Sequence, residues 1–300
     1  MHLARAVPAH VRFGTSSWTF DGWKGLVYRK RYGNRDRFVK ESLREYAGFP
    51  LFRTVGVDRS YYAPLREQEW RDYAELLPAG FVCCSKVWSE ITTRVFPDHP
   101  RYAERAGQPN RFFLDPRRLA EHVVDPLRAG LGPHAGPLIV ELTPSPHRTH
   151  PRAFAEAVDR FLADAPDDVH YAFEIREPQL FTRHYLDVLR AHPHASHVLN
   201  LHTRMPPIGR QIDQGALVGD VCVARLMIPP GKRYGDLQQA FSPFDRIRVP
   251  QPQMRRDVLR LIRETADRGA SLFVIANNKA EGSSPLTVIA LAEMLSGSSR

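Results

Sequence analysis

At 300 residues, 43% hydrophobic and 10% aromatic, the chain can build one large α/β barrel or two smaller domains, which excludes a disordered polypeptide. No apolar stretch approaches the roughly 18 residues that cross a bilayer, and the N-terminus lacks the apolar segment of a secretory signal. The formal net charge of +9 points to anionic partners, nucleic acid included, although no block of like charges occurs.

In chain order, Arg12–Thr15 reads as a short first strand, followed by a helical pattern from Phe38 to Tyr46. Thr54–Asp58 is a second strand, and Glu67–Leu77 a helix closed by Pro78 and Gly80. The third strand, Phe81–Lys86, leads into a long polar and aromatic excursion over residues 88–117. A helix at Arg118–Arg128 precedes strand four, which ends Leu138-Ile-Val-Glu141, and residues 143–151 form a proline-rich loop. The helix Arg152–Leu162 leads to strand five, Tyr171-Ala-Phe-Glu-Ile-Arg176. Thr182–Ala191 is helical, and His197–His202 is strand six. Residues 203–220 carry only a weak helix signal before strand seven, Val221-Cys-Val-Ala-Arg225. A second excursion covers residues 227–253, and a helix at Met254–Arg268 precedes strand eight, Leu272-Phe-Val-Ile-Ala-Asn-Asn278. Ser283-Ser-Pro285 then opens the last helix, with serine as N-cap and proline at the first helical position.

Eight β/α units predict a parallel, closed sheet: an α/β, single-domain (β/α)8 TIM-like barrel with long loops after strands three and seven. A doubly wound open sheet is the alternative. Residues 1–11 are expected as an N-terminal extension and 12–300 as the barrel domain. Cys83, Cys84 and Cys222 all fall in predicted strands, an odd count without CxxC spacing, which predicts reduced thiols and a cytoplasmic setting. No GxGxxG or Walker pattern indicates a nucleotide cofactor, so none is expected. His147, His150 and His202 lack HExxH spacing, so no metal is assigned.

Several motifs resemble one family. Gly14-Thr-Ser-Ser-Trp-Thr-Phe20 with Trp23, then Thr54-Val-Gly-Val-Asp-Arg-Ser-Tyr-Tyr62, are similar to the two N-terminal signatures of the YecE-like family, domain of unknown function 72. Lys86 with Ile91-Thr92, the Glu141–Pro144 loop, Ala172–Arg176, Arg225-Leu226 and Asn277-Asn278 follow in the family's order. The resemblance covers nearly the whole chain and implies a TIM-barrel-like fold, but no established activity. The chain departs from the family pattern at five positions. Gly56 stands where many members carry Glu, Asp58 where Asn is usual, and Glu141 where Gln is usual. Thr93 and Met227 stand where His is common.

A polar residue at the same end of many parallel strands is how such barrels build active sites. Glu174 and Arg176 share one face of strand five by the two-residue period, with Glu174 as acid or base and Arg176 as its orienter or an anion clamp. Glu141 ends the neighbouring strand, about 4.8 Å away, and Asp58 can add a third carboxylate. Lys86, Arg176 and Arg225 place cations on that rim, neutralised either by the carboxylates or by an anionic substrate. Trp18, Tyr61, Tyr62 and Tyr234 are candidates to stack on a base or sugar, and Lys232, Asn277, Asn278 and Lys279 to bind phosphate from the loops after strands seven and eight. The leading expectation is an enzyme, hydrolase or lyase in type, acting on a small or oligomeric anionic substrate. A non-catalytic nucleic-acid binder and a sugar-active hydrolase using paired carboxylates are the alternatives.

Overall fold

The computed structural model describes residues 2–145 and 147–297. Pro146 of the predicted 143–151 loop, and the outermost residues of the two predicted domain ranges, lie outside the described residues.

Each predicted strand forms, within a residue or three of its expected bounds. They are β1 (Val11–Thr15), β2 (Thr54–Val57), β3 (Val82–Lys86), β4 (Ala135–Glu141), β5 (Tyr171–Glu174), β6 (Ala195–Leu201), β7 (Val221–Leu226) and β8 (Ser271–Ala276). All pairings are parallel, in the order β1-β8-β7-β6-β5-β4-β3-β2. Helices on the outside connect the strands, as a parallel sheet requires.

The barrel closes where β1 meets β2. That seam has no strand ladder of its own, but Arg53 donates its backbone N–H to Phe13 O at 2.9 Å. The buried Tyr46 hydroxyl, on the helix Arg35–Ala47, completes the junction. It accepts from Thr15 N at 2.9 Å and from Thr15 Oγ1 at 2.8 Å, and donates to Thr54 O at 3.1 Å. Two glycines allow this approach. A Cβ on Gly14 would lie 2.1 Å from Thr54 O, and one on Gly56 would lie 2.9 Å from Ser16 Cα.

Alternation sorts each strand into an outer face under the helices and an inner face along the barrel axis. Cys84, Ile139, Ala172, Val198, Val223 and Ile275 form a separate inner apolar layer. Cys83 belongs to the outer core instead, so the vicinal cysteines point to opposite faces, and both thiols are pushed up by burial. The polar strand ends therefore sit one step above a dry plug of side chains, which fixes their height.

Helix termini follow local chemistry. Asn34 Oδ1 accepts from Arg37 N at 2.9 Å, and Thr182 Oγ1 from Tyr185 N at 3.2 Å, each capping the helix that follows. Pro151 and Pro252 occupy the first turns of Pro151–Asp164 and Pro252–Asp267. The two long excursions are partly ordered. The first holds the short helix Ser89–Thr92, a 3-10 turn at Ala103–Arg105, and Pro116–Leu119 capped by Asp115. The second holds the helix Tyr234–Phe241. The weak signal before β7 becomes the helix Ile208–Asp213. At the N-terminus His2–Ala6 is helical, and His2 Nε2 lies 3.4 Å from Ser296 Oγ of the last helix, Ser284–Gly297. No helix among the described residues is long and apolar enough to cross a membrane.

Candidate active site at the carboxyl rim

Glu141 and Glu174 are direct register partners on β4 and β5, so they stand at one height. Arg225 enters from β7 and donates through one nitrogen, Nη1, to Glu141 Oε2 at 2.7 Å and to Glu174 Oε2. Arg176, two residues beyond Glu174, reaches Glu174 Oε1 and Glu141 Oε2, the latter at 2.7 Å. Lys86, at the end of β3, lies 2.8 Å from Glu141 Oε2 and 3.1 Å from Asp58 Oδ1. Asp58 also lies 3.8 Å from Arg225 Nη2. Six residues at or just beyond the ends of strands far apart in sequence thus form one network of three cations and three carboxylates.

Burial makes this network costly to break. Glu174 is fully buried and Arg225 is 1% exposed. Burial works against the charge of Glu141, but Arg176, Lys86 and Arg225 outweigh it and hold the carboxyl well below the usual carboxylate range. Glu174 is likewise lowered: burial opposes its charge, and Arg225 and Arg176 overcome both burial and the neighbouring Glu141. Burial alone would lower the Arg225 guanidinium, yet Glu174 and Glu141 raise it. Glu141, Glu174 and Arg225 are therefore ionised near neutral pH.

The network is not saturated. Among the described residues, Arg225 Nε and Nη2 are buried and have no hydrogen-bond partner. Both Glu174 oxygens accept hydrogen bonds, whereas among the described residues those reaching Glu141 end on Oε2 and leave Oε1 free of them. Of the two carboxylates, Glu141 is the one with an oxygen available to a ligand.

The aromatic and loop candidates divide. Tyr61 lies over Lys86, with Nζ 5.1 Å from the ring centroid, and its hydroxyl is 3.0 Å from Thr143 Oγ1, which in turn lies 2.9 Å from Thr93 Oγ1. Tyr62 turns outward, 58% exposed, under the Arg101 guanidinium at 4.2 Å. Trp18 is buried away from the network, edge-on against Tyr73 at 5.4 Å. Lys232 is exposed in the turn after β7, where its carbonyl accepts from Thr203 Oγ1 at 2.7 Å. Asn277 donates to Ser16 Oγ at 2.7 Å and accepts from Lys279 N. Asn278 Oδ1 accepts from both Ser284 N and Ser284 Oγ, so it ties down the last helix, while its buried Nδ2 has no hydrogen-bond partner among the described residues. Lys279 is buried beneath Tyr234, with Nζ 4.0 Å from that ring centroid.

Sequence reasoning missed Asn200 and Ser16, and weighed His202 only as a metal ligand. Asn200 pairs in register with Arg225, donates to Ile175 O at 2.8 Å, and keeps a buried Oδ1 without a hydrogen-bond partner among the described residues. His202 is lowered to about 4, by burial first and then by Arg176. The signal was the alternation Ser196, Val198, Asn200, His202, which puts Asn200 on the inner face of β6 and His202 on the same side just past its end. Among the described residues, no set of three or more His, Cys, Asp or Glu is arranged to hold a metal ion.

A family model described as a protein of unknown function, DUF72, matches residues 12–300. Among solved structures, a DUF72 family protein from Enterococcus faecalis V583 is similar at 14% identity and a TM-score of 0.62, with 95% of each chain covered. Another, from Thermotoga maritima MSB8, is similar at 16% identity and a TM-score of 0.58, covering 95% of this chain and 99% of that one. Likeness at such identities speaks for the fold alone. A search of curated proteins found no match.

Proposed function

The chain belongs to the DUF72 family of proteins of unknown function, and from that premise we propose an enzyme, hydrolase or lyase in type, that acts on an anionic substrate at the carboxyl rim. The observation that carries this reading is the unsaturated cation cluster. Among the described residues, Arg225 Nε and Nη2 are buried donors with no hydrogen-bond partner, in a network where an anion would complete their hydrogen bonds. Glu141 and Glu174 hold Arg225 and Arg176 in place, and the preorganised cations stabilise negative charge that develops on the substrate. Glu141, ionised and with Oε1 free, is the general base, and Glu174 is a positioning residue. The substrate is phosphorylated or nucleic-acid-derived. Three buried, unpaired cysteines support a cytoplasmic setting.

The geometry argues against the sugar-active alternative. A retaining glycosidase needs one carboxyl protonated near neutrality, and both carboxyls here are lowered. One observation favours a nucleic-acid role: the exposed Tyr62 with Arg101 stacked on it offers a cationic stacking platform beside Tyr61. Binding to single-stranded DNA that weakens steeply with salt would support that role.

The direct test is calorimetric titration with inorganic phosphate. Wild-type protein is expected to bind, and Arg176→Gln to bind about tenfold more weakly through loss of a charge-assisted contact. Equal affinity in the variant, or no binding to wild type, would overturn the reading. For any phosphate ester that is turned over, Glu141→Gln is expected to abolish turnover with the fold retained.

A further inference from the structure

The two lysines at the rim are in opposite situations. Lys86 is neutralised by Asp58 and Glu141 at 3.1 and 2.8 Å. Lys279 is 4% exposed, yet among the described residues its Nζ makes no ion pair within 4.0 Å and no hydrogen bond. Its surroundings are two aromatic faces contributed by the excursion after β7, Tyr234 at 4.0 Å and Phe244 at 5.5 Å from Nζ. Lysine is seldom buried without a partner, because desolvating an ammonium is costly. Here the backbone holds it in that position: Asn277 Oδ1 accepts from Lys279 N at 3.0 Å, and Ser16 Oγ anchors Asn277 across to the first strand.

We propose that Lys279 is the reactive amine of this site and condenses with the carbonyl group of an anionic aldehyde or ketone. The inference rests on the proposed function, since Arg225, Arg176 and Lys86 would hold the anionic end of such a compound. Burial lowers the Lys279 ammonium to about 8, and the one facing charge that opposes this is Asp58, itself engaged by Lys86. The aromatic faces favour the ammonium. A useful fraction of neutral amine is therefore present at mildly alkaline pH, as in other desolvated catalytic lysines. In the condensation, the Nζ lone pair attacks the carbonyl carbon and the C=O π pair moves to oxygen. The proton lost from nitrogen passes to that oxygen, and a second proton transfer lets the hydroxyl leave as water, so carbonyl plus amine gives imine plus water. Tyr234, 60% exposed, lies over the amine and must swing aside for a substrate to reach it.

The test uses glycolaldehyde phosphate as probe, with cyanoborohydride to reduce any imine to a stable secondary amine, and peptide mapping to read each lysine separately. Lys279 is expected to be labelled about tenfold faster than the exposed Lys40 and Lys232 at pH 7.5, a larger neutral fraction being partly offset by lower nucleophilicity. Its rate should rise with a midpoint near pH 8. Labelling of Lys279 no faster than that of Lys40 and Lys232, or a midpoint near the ordinary lysine value, would overturn the inference. Lys279→Arg should leave the labelling of Lys40 and Lys232 unchanged, which shows that the mapping is sound. Inorganic phosphate separates the two readings. Phosphate binding without preferential Lys279 labelling sinks the reactive amine alone. Labelling that phosphate neither inhibits nor accompanies by binding sinks the anion site and leaves the amine standing.

Discussion

Arg225 illustrates how much one side chain can carry. One of its nitrogens bridges two carboxylates on neighbouring strands, and its burial leaves no water to replace it. Replacing it by methionine keeps most of the volume but leaves Glu141 and Glu174 facing each other, with Arg176 as their one remaining shared cation. Breaking a buried ion network from one side costs about 3–5 kcal/mol. Arg225→Met is therefore expected to lower unfolding stability by about that amount in urea, and adding Glu174→Gln should recover part of the loss. A loss below about 1 kcal/mol would mean that the network is solvated and weak. The strand-end residues of this network were legible in the sequence because a period of two fixes their face, and the ends of apolar runs fix their height. Lys86, Glu141, Glu174, Arg176 and Arg225 all converge for that reason. Trp18 was not legible in the same way. An aromatic in a loop motif has no period, and only packing on Tyr73 shows that it faces the outer layer. The free oxygen of Glu141, and the unpaired state of Lys279 against the paired state of Lys86, are three-dimensional facts that no spacing encodes.

At the level of elements, the seam between β1 and β2 is where the barrel depends on particular side chains. Elsewhere each strand is held by a ladder of backbone hydrogen bonds, whereas here the Tyr46 hydroxyl joins Thr15 to Thr54. Tyr46→Phe removes one oxygen and leaves Thr15 N and Thr54 O without that partner in a dry environment. A buried donor or acceptor left unsatisfied costs about 1–3 kcal/mol. The variant is expected to be destabilised by about 2 kcal/mol, with hydrogen exchange accelerated first in β1 and β2. Uniform acceleration across all eight strands would show that the seam is no weaker than the rest. The same close approach explains a departure from the resembled family pattern. Any side chain at Gly56 would press on the Ser16 backbone, so the glutamate usual there needs a β1 end placed differently from the one in this chain. The strands were readable because each is a short apolar run with a polar stop. The helical pieces inside residues 88–117 and 227–253 were not, because Ser89–Thr92 and Tyr234–Phe241 are too short to show a full helical period and depend on tertiary contacts.

For the whole molecule, burial of titratable groups sets a definite pH response. His197 is 1% exposed and lowered to about 4, chiefly by burial. Its hydrogen bonds assign the neutral tautomer: Gln211 Nε2 donates to Asn200 O and Pro206 O, so Gln211 Oε1 faces His197 Nε2 as acceptor, and Nδ1 receives the Tyr185 hydroxyl. His170 and His202, partly buried, are also lowered to about 4, with burial the first cause in each. Between their ordinary value of 6.5 and that lowered value, the unfolded chain binds protons that the folded chain refuses. Stability therefore rises with pH across this window and is lost as pH falls through it. Glu141 and Glu174 act in the same direction at lower pH. Their folded values lie below 4.5, so their contribution is present above that pH and disappears as the folded carboxylates take up protons. Each histidine can contribute a slope of up to about 1.4 kcal/mol per pH unit. Urea unfolding at pH 5, 6 and 7 is expected to show stability increasing steadily, and His197→Gln to flatten the slope between pH 5 and 6 by about one proton. A slope unchanged in that variant would place the proton uptake on His170 and His202, and a flat profile in the wild type would mean that all three rings are open to protonation in the folded barrel.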